Sequence, residues 1–221
     1  MSALLVPYYE HPSVRPAEWE SIALAAPRLY GVVLNPASGP GERPDPAFAE
    51  AAARLRAAGG APSGGVRLLG YVDTDYGRRP HADVVRDLAR YRSWYGTDGA
   101  FLDQAAAGVE QLRHYQHLAA AAWSTGCGTL VLNHGTPPHP AYARLADVLV
   151  TFEGPWSAYR TARPPPGRYD PGVRLCHLVY GVPPGVDLES IARERGAGVH
   201  CAVPGTGPHP WGTLPYGVRV A

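Results

Sequence analysis

The sequence lacks the marks of a membrane protein, a nucleic-acid binder or a disulfide scaffold. No stretch approaches the roughly 18 consecutive apolar residues that span a bilayer, and the alanine-rich Leu118 to Trp123 is brief and flanked by polar residues. There is no long basic run. The formal net charge of +1 comes from interspersed Arg, Asp and Glu, so the counterion release that rewards nucleic-acid binding has no source. Cysteine is scarce: Cys127, Cys176 and Cys201 are odd in number and widely spaced, with no C-x-x-C pair. That argues against a disulfide framework or a zinc site and for buried free thiols. Neither G-x-x-x-x-G-K-[ST] nor a G-x-G-x-x-G following a strand is present, so no nucleotide cofactor is expected. His114 and His117 lie three apart on an expected helix, but no third ligand is near them in sequence, and no metal is expected. The apolar run Ala3 to Val6 has no basic segment before it and no cleavage-like site after it, so it reads as a first strand rather than a signal peptide. The expectation is a cytoplasmic protein with no membrane or nucleic-acid partner and no cofactor.

What is present is alternation. Short β-rich runs recur at Ala3 to Val6, Tyr30 to Asn35, Arg67 to Val72, Gly99 to Asp103, Thr129 to Asn133, Val148 to Glu153, Leu175 to Val179 and Gly198 to Val203. Helical spacing follows most of them, around Glu18 to Ala26, Pro46 to Ala58, Ala82 to Tyr95, Val109 to Ser124, Pro140 to Leu145 and Leu188 to Arg195. In the third of these, Val84, Val85, Leu88, Tyr91, Trp94 and Tyr95 recur every three or four residues, enough to pack one face on a sheet. The run Arg163 to Gly167 contains three prolines and cannot continue a helix, so a short helix near Trp156 to Tyr159 and then a loop are expected. The 24 prolines and 26 glycines fall mostly between elements, as loops rather than interdomain linkers. No solenoid-type repeat is found. Eight strands alternating with helices predict an α/β fold of the (β/α)8 TIM-barrel type, as one compact domain over residues 1–221. The length sits just above the lower limit of about 200 residues for such a barrel.

In a barrel of parallel strands the chemistry collects where the strands end. Those ends carry Tyr8, Tyr9 and Glu10; Asn35; Tyr71, Asp73, Asp75 and Tyr76; Asp103 and Gln104; Asn133 and His134; Glu153; and Tyr180, with Trp211 in the last loop. Aromatic rings stack on the apolar face of a pyranose, while carboxylates and amides bind hydroxyls and move protons, so the set suits a sugar. Polar residues at strand ends also cap helices, which is the structural alternative for each of them. Asp103 and Glu153 stand out because each closes an apolar run, GAFLD and VLVTFE, where an ionised group needs a reason. Arg78 and Arg79, close behind Asp73 and Asp75, read as local ion pairs bracing their loop.

The segments LLVPYYEHP, VVLNPASGPG, LLGYVDTDYGRRP, YRSWYGTDGAFLDQ, LVLNHGTPP, DVLVTFEGPW, CHLVYGVP and HPWGTLPYG follow one another along almost the whole chain. In this order they resemble the spherulation-specific family 4, or spherulin-4-like, proteins. The resemblance implies a glycoside hydrolase-like (β/α)8 barrel, with relatives that cleave α-1,4-linked galactosamine-containing polysaccharide. It also implies an Asp-Glu pair at the end of the fourth strand and a further Glu at the end of the sixth. The matching positions here are Asp103, Gln104 and Glu153.

Gln104 is the main departure, since an amide can hold a hydrogen bond but cannot exchange a proton at neutral pH. His134 is another: it stands where the family pattern reads Asn-Pro-Gly, as a base or as a loop-filling ring, the second being favoured. The expected activity is therefore hydrolysis of an amino-sugar glycoside by Asp103 and Glu153, with Tyr8, Tyr9, Asn35, Tyr71, Asp73, Gln104, Asn133, His134 and Trp211 binding a carbohydrate or small-molecule substrate. Two alternatives stay open: an enzyme of small-molecule metabolism redirected by Gln104, and a carbohydrate-binding pseudoenzyme.

Overall fold

A computed structural model describes residues 3–59, 65–162, 169 and 172–218. Its strands are β1 (Ala3–Pro7), β2 (Leu29–Leu34), β3 (Arg67–Asp73), β4 (Gly99–Asp103), β5 (Thr129–Asn133), β6 (Val148–Pro155), β7 (Arg174–Tyr180) and β8 (Ala197–Ala202). Every neighbouring pair is parallel, and β8 pairs back onto β1 to close the barrel in chain order. The helices are α1 (Pro16–Ala25), α2 (Pro46–Gly59), α3 (His81–Tyr95), α4 (Leu112–Ser124), α5 (Trp156–Tyr159) and α6 (Leu188–Glu194). Each predicted strand is found within a residue or two of its expected bounds. The helical pattern at Pro140 to Leu145 instead forms a 3-10 turn, Pro140–Arg144. The start of the fourth pattern is likewise 3-10, at Val109–Gln111, before α4. The short helix expected before the prolines is α5, while the proline run itself lies outside the described residues.

Strands buried on both faces read as continuous apolar runs, and β2 is buried along its whole length. Close approach matters in β3, where a side chain on Gly70 would stand 2.5 Å from the Tyr91 ring of α3. Its absence lets α3 seat Val84, Leu88, Tyr91 and Tyr95 on the sheet. Trp94 lies at the edge of that face, half-buried against the core. Cys176 and Cys201 are buried, but Cys127 is only half-buried, a correction to the expectation of three buried thiols.

Two features of the sheet aim the mouth residues. In β3 and β4 the register sets Tyr71 opposite Phe101 and Asp73 opposite Asp103, so all four share the interior face. In β6 the pairing with β7 slips between Val150 and Phe152. Val150 is level with Cys176, and Phe152 with His177, leaving Thr151 as one extra residue. Strict alternation from an inward Val150 would turn Glu153 outward, and this bulge turns it inward.

Candidate active site at the barrel mouth

The C-terminal ends of β3 to β7 surround a cleft of about 320 Å³ lined by Tyr76, Asp103, Gln104, Asn133, His134, Gly135, Glu153 and Tyr180. Its centre is one amide. Asn133, closing β5, donates from Nδ2 to Asp103 Oδ1 at 2.6 Å and to Glu153 Oε2 at 2.5 Å. The two accepting oxygens are therefore no farther apart than these two bonds laid end to end. Asn133 is oriented by its own Oδ1, which accepts the Gly135 N–H at 3.1 Å.

The two acids are dressed differently. Asp103 accepts the Tyr71 hydroxyl on Oδ2 at 2.7 Å. Its carboxyl is raised by burial and, less, by the Asp73 charge, and the bonds from Tyr71, Asn133 and the Gln104 backbone oppose that rise. Glu153 accepts the Trp211 indole N–H on Oε1 at 3.1 Å. Burial raises its carboxyl, the Asp103 charge raises it further, and only Asn133 and Trp211 oppose.

Around them the supporting shell is mostly aromatic. Tyr71 stacks on Phe101 with centroids 6.4 Å apart, and Tyr9 meets Tyr71 edge-on at 5.8 Å. The Tyr9 hydroxyl is held far above its ordinary range by burial and then by the Asp103 and Glu153 charges. Trp211 turns its ring edge to Tyr180 at 6.1 Å, and its carbonyl accepts the Tyr9 N–H at 3.0 Å.

Gln104 adopts φ +49°, the left-handed region that a non-glycine residue enters at a cost. Its Nε2 donates to Asp73 Oδ2 at 3.2 Å, while Asp73 Oδ1 accepts the Asp75 N–H at 2.7 Å. Thr74 holds this turn, with Oγ1 close to the carbonyls of Asp103 and Gln104 at 2.8 and 2.9 Å and to the Tyr115 hydroxyl at 2.8 Å. Tyr115 comes from α4 and also accepts the Ala106 N–H at 2.9 Å. Nothing in local pattern marks that role, because Tyr115 reads as one more core-facing residue of its helix.

His134 forms part of the wall. Its ring meets Tyr142 edge-on at 4.8 Å, and Nδ1 faces the carbonyls of Ala105 and Ala106 at 3.2 and 3.0 Å. Carbonyls accept, so Nδ1 carries the hydrogen, and Nε2 is buried with no partner. Burial pushes the imidazole down to about 4, so it is neutral at physiological pH, a loop-filling ring whose one open atom is an acceptor.

Of the sequence-predicted binders, Gln104, Asn133 and His134 line the cleft, Tyr71, Asp73 and Trp211 stand behind it bonded to lining residues with Tyr9 packed on Tyr71, and Tyr8 and Asn35 are turned away from it. Tyr8 is buried on the outer side of the barrel, its ring 5.8 Å from Trp19 of α1, because adjacent residues of an extended segment face opposite ways and Tyr9 takes the inner face. Asn35 lies past the end of β2, where its Oδ1 accepts the Gly39 N–H at 3.0 Å and braces the loop. Arg78 pairs with Asp75 in the expected way, whereas Arg79 bonds the Asp73 carbonyl at 2.9 Å and pairs with the buried Asp87 of α3. Among the described residues no three His, Cys, Asp or Glu side chains are grouped to hold a metal ion. No helix of the described residues is long and apolar enough to cross a membrane.

Comparison with known proteins gives one family and one architecture. The family model described as spherulation-specific family 4 matches residues 3–200. Spherulin-4 of Physarum polycephalum is 36% identical over 155 residues, covering 68% of this chain and 44% of that protein. The chain thus spans less than half the length of that curated relative. Among solved structures, Aspergillus clavatus Sph3 in complex with GalNAc superposes with a TM-score of 0.77 at 24% identity, covering 96% of this chain and 92% of that one. The tryptophan synthase α-subunit of Pyrococcus furiosus reaches a TM-score of 0.55 at 14% identity, over 90% of this chain and 85% of its own. These likenesses show the barrel, and a barrel shared by a sugar-bound protein and a biosynthetic subunit leaves function to the site.

Proposed function

Because the chain belongs to spherulation-specific family 4, we propose that it is a glycoside hydrolase acting on an amino-sugar glycoside or oligosaccharide, with Asp103 and Glu153 as its two working carboxylates. The observation that carries this reading is the Asn133 amide shared between them, which holds an oxygen of each within reach of one donor. Two short bonds from one nitrogen fit the carboxyl spacing of about 5–5.5 Å used in retention better than the about 6.5–9.5 Å that leaves room for an attacking water. The retaining assignment follows from the environments. Asp103, with Tyr71, Asn133 and a backbone N–H opposing its rise, is the better-stabilised anion and acts as nucleophile. Glu153, on which the Asp103 charge outweighs either opposing bond while the Asp73 charge on Asp103 is weaker than each of its three, keeps the proton and acts as acid.

In the first step an Asp103 oxygen bonds to the anomeric carbon as the glycosidic C–O bond breaks, and the Glu153 proton passes to the departing oxygen. In the second, Glu153 takes a proton from water, the water oxygen bonds to the anomeric carbon, and Asp103 is released. Gln104 takes no proton in either step. With its amide donating to Asp73, it serves as a positioning group at the cleft wall. The GalNAc in the Sph3 complex supports an amino sugar as the ligand.

The test is hydrolysis of α-linked galactosamine and N-acetylgalactosamine oligosaccharides, with the anomer of the first-formed product read by NMR. Asp103→Asn and Glu153→Gln are each expected to lower turnover by at least about 10³-fold, and the first product is expected to keep the substrate's configuration. Unchanged turnover in both variants rejects the assignment. Gln104 favours one second reading, a carbohydrate-binding protein whose hydrolysis was lost with an acid. Sugar binding without hydrolysis by the parent chain, with hydrolysis appearing in Gln104→Glu, is the outcome that selects it.

A further inference from the structure

We infer that Tyr76 is a stacking platform for a second sugar residue of the substrate, to one side of the acid pair, and so sets a preference for oligosaccharides over single-sugar glycosides. This rests on reading the cleft as a glycosidase site.

The first observation is exposure in the wrong place for core packing. Tyr76 lines the cleft, yet 51% of it is open to solvent. The other large exposed apolar residues, Val14, Leu24, Val109 and Trp123, are not among the cleft's lining residues. The second is the backbone beneath the ring. Tyr76 has φ +52° and ψ +34°, and Asp75 before it has φ +46°, two successive non-glycine residues in the left-handed region. Such conformations persist only where surrounding bonds impose them. Here the Tyr76 N–H donates to the Gln104 carbonyl at 2.8 Å, the Asp75 N–H to Asp73 Oδ1 at 2.7 Å, and the Gly77 N–H to the Thr74 carbonyl at 2.9 Å. Arg78, paired with Asp75, places its guanidinium 5.9 Å from the Tyr76 ring centroid. Three N–H bonds and the two Arg78 contacts thus hold a strained turn whose visible product is an aromatic ring presented to water.

The third observation is position. In a closed barrel of eight strands in chain order, β3 and β7 are diametrically opposed. Tyr76, just after β3, and Tyr180, at the end of β7, therefore line opposite sides of the mouth, with Asp103 on β4 and Glu153 on β6 along the arc between them. A sugar ring on Tyr76 is flanking the one held between the acids. A phenol ring matches the apolar face of a pyranose, and the contact needs the ring rather than its hydroxyl.

The experiment compares Tyr76→Phe, Tyr76→Ala and Tyr76→Gly, with Trp123→Ala as the control for loss of an exposed aromatic elsewhere. Each is assayed on an α-1,4-linked galactosamine oligosaccharide and on a single-sugar nitrophenyl glycoside. Tyr76→Ala and Tyr76→Gly are expected to raise KM for the oligosaccharide about tenfold with kcat within about twofold, and to leave the nitrophenyl glycoside almost unaffected. Tyr76→Phe and Trp123→Ala are expected to match the parent. Because glycine relieves the left-handed strain, Tyr76→Gly is also expected to melt about 2–4 °C higher. Unchanged KM in Tyr76→Ala, equal losses on both substrates, or a lower melting temperature in Tyr76→Gly would overturn the platform. If the parent chain hydrolyses neither substrate, the hydrolase reading fails by itself. The platform is then judged by calorimetric binding of the oligosaccharide, which is to weaken about tenfold in Tyr76→Ala and hold in Tyr76→Phe, and equal binding by all variants rejects it.

Discussion

Strands β4 and β6 are bracketed by carboxylates, and the two ends of each strand use them in opposite ways. At the entry end, Asp98 and Asp147 clamp the start of the preceding strand. The Asp98 N–H donates to the Leu68 carbonyl at 3.1 Å while its Oδ1 accepts the Leu68 N–H at 2.9 Å. Asp147 repeats the pattern with Leu130, at 2.9 and 2.8 Å. Each of these acids answers a backbone donor that would otherwise be left at the barrel's edge. At the exit end, Asp103 and Glu153 share a single amide and face one another's charge. Burial raises Asp98 at the entry end as it raises Asp103 and Glu153 at the exit end; the ends differ in that Asp98 answers a backbone donor of the sheet, whereas at the exit end a neighbouring carboxylate's charge adds to the rise of each acid. Strain follows the same division, since Asp75, Tyr76 and Gln104, all with positive φ, sit at the exit end.

Substitution at the two ends should separate these roles. The largest effect is the loss of turnover in Asp103→Asn and Glu153→Gln, with the fold retained by circular dichroism. The converse is Asp98→Ala, which leaves the Leu68 N–H without its acceptor. It should cost about 1–3 kcal/mol in urea unfolding while turnover per folded molecule stays at the parental level. Asp147→Ala should cost less, because Asp147 is exposed and water can take over its bond. A turnover defect in either would blur the contrast.

A subtler test concerns the stability cost of Glu153. Burial and Asp103 raise its carboxyl above the ordinary value of 4.5, so the folded chain binds that proton more tightly than the unfolded chain. The associated stability is fully present below the unfolded value and is lost as pH rises through the folded one. Glu153→Gln stays neutral throughout. Its advantage over the parent should therefore be absent near pH 4 and grow to about 1 kcal/mol at pH 8, read from melting curves across that range. A constant difference would show that charge is not its cause.

The smallest expected change is in Asn133→Ala. Removing the shared donor leaves both anions less stabilised, so both limbs of the kcat/KM profile should move to higher pH, whereas a merely structural Asn133 would lower the rate without moving the profile.

Much of this architecture was legible residue by residue. Runs such as GAFLD and TLVLN, bounded by Gly and Pro loops, announce buried parallel strands, and the short helix expected near Trp156 to Tyr159 is found there as a single turn. Asp103 was legible for the same reason, as an acid closing an apolar run. Tyr8 and Tyr9 were not separable by composition: both are aromatic and both follow β1, and only the direction each takes sends one against Trp19 and the other toward Tyr71. Asn35 looked like a mouth residue until its side chain proved committed to Gly39.

Glu153 marks the boundary between the two kinds of information. Its presence near the end of the sixth strand is a matter of local pattern, which rests on hydrophobic runs and turn residues that act over a few positions. Its direction is not, because period-two alternation in VLVTFE points it away from the interior and only the slip against β7 at Thr151 brings it back. The same holds for the meeting of Asp103, Asn133 and Glu153, which are separated by 30 and 20 residues along the chain. Their contact arises from closing eight strands into one ring, a condition that no short stretch of the chain contains.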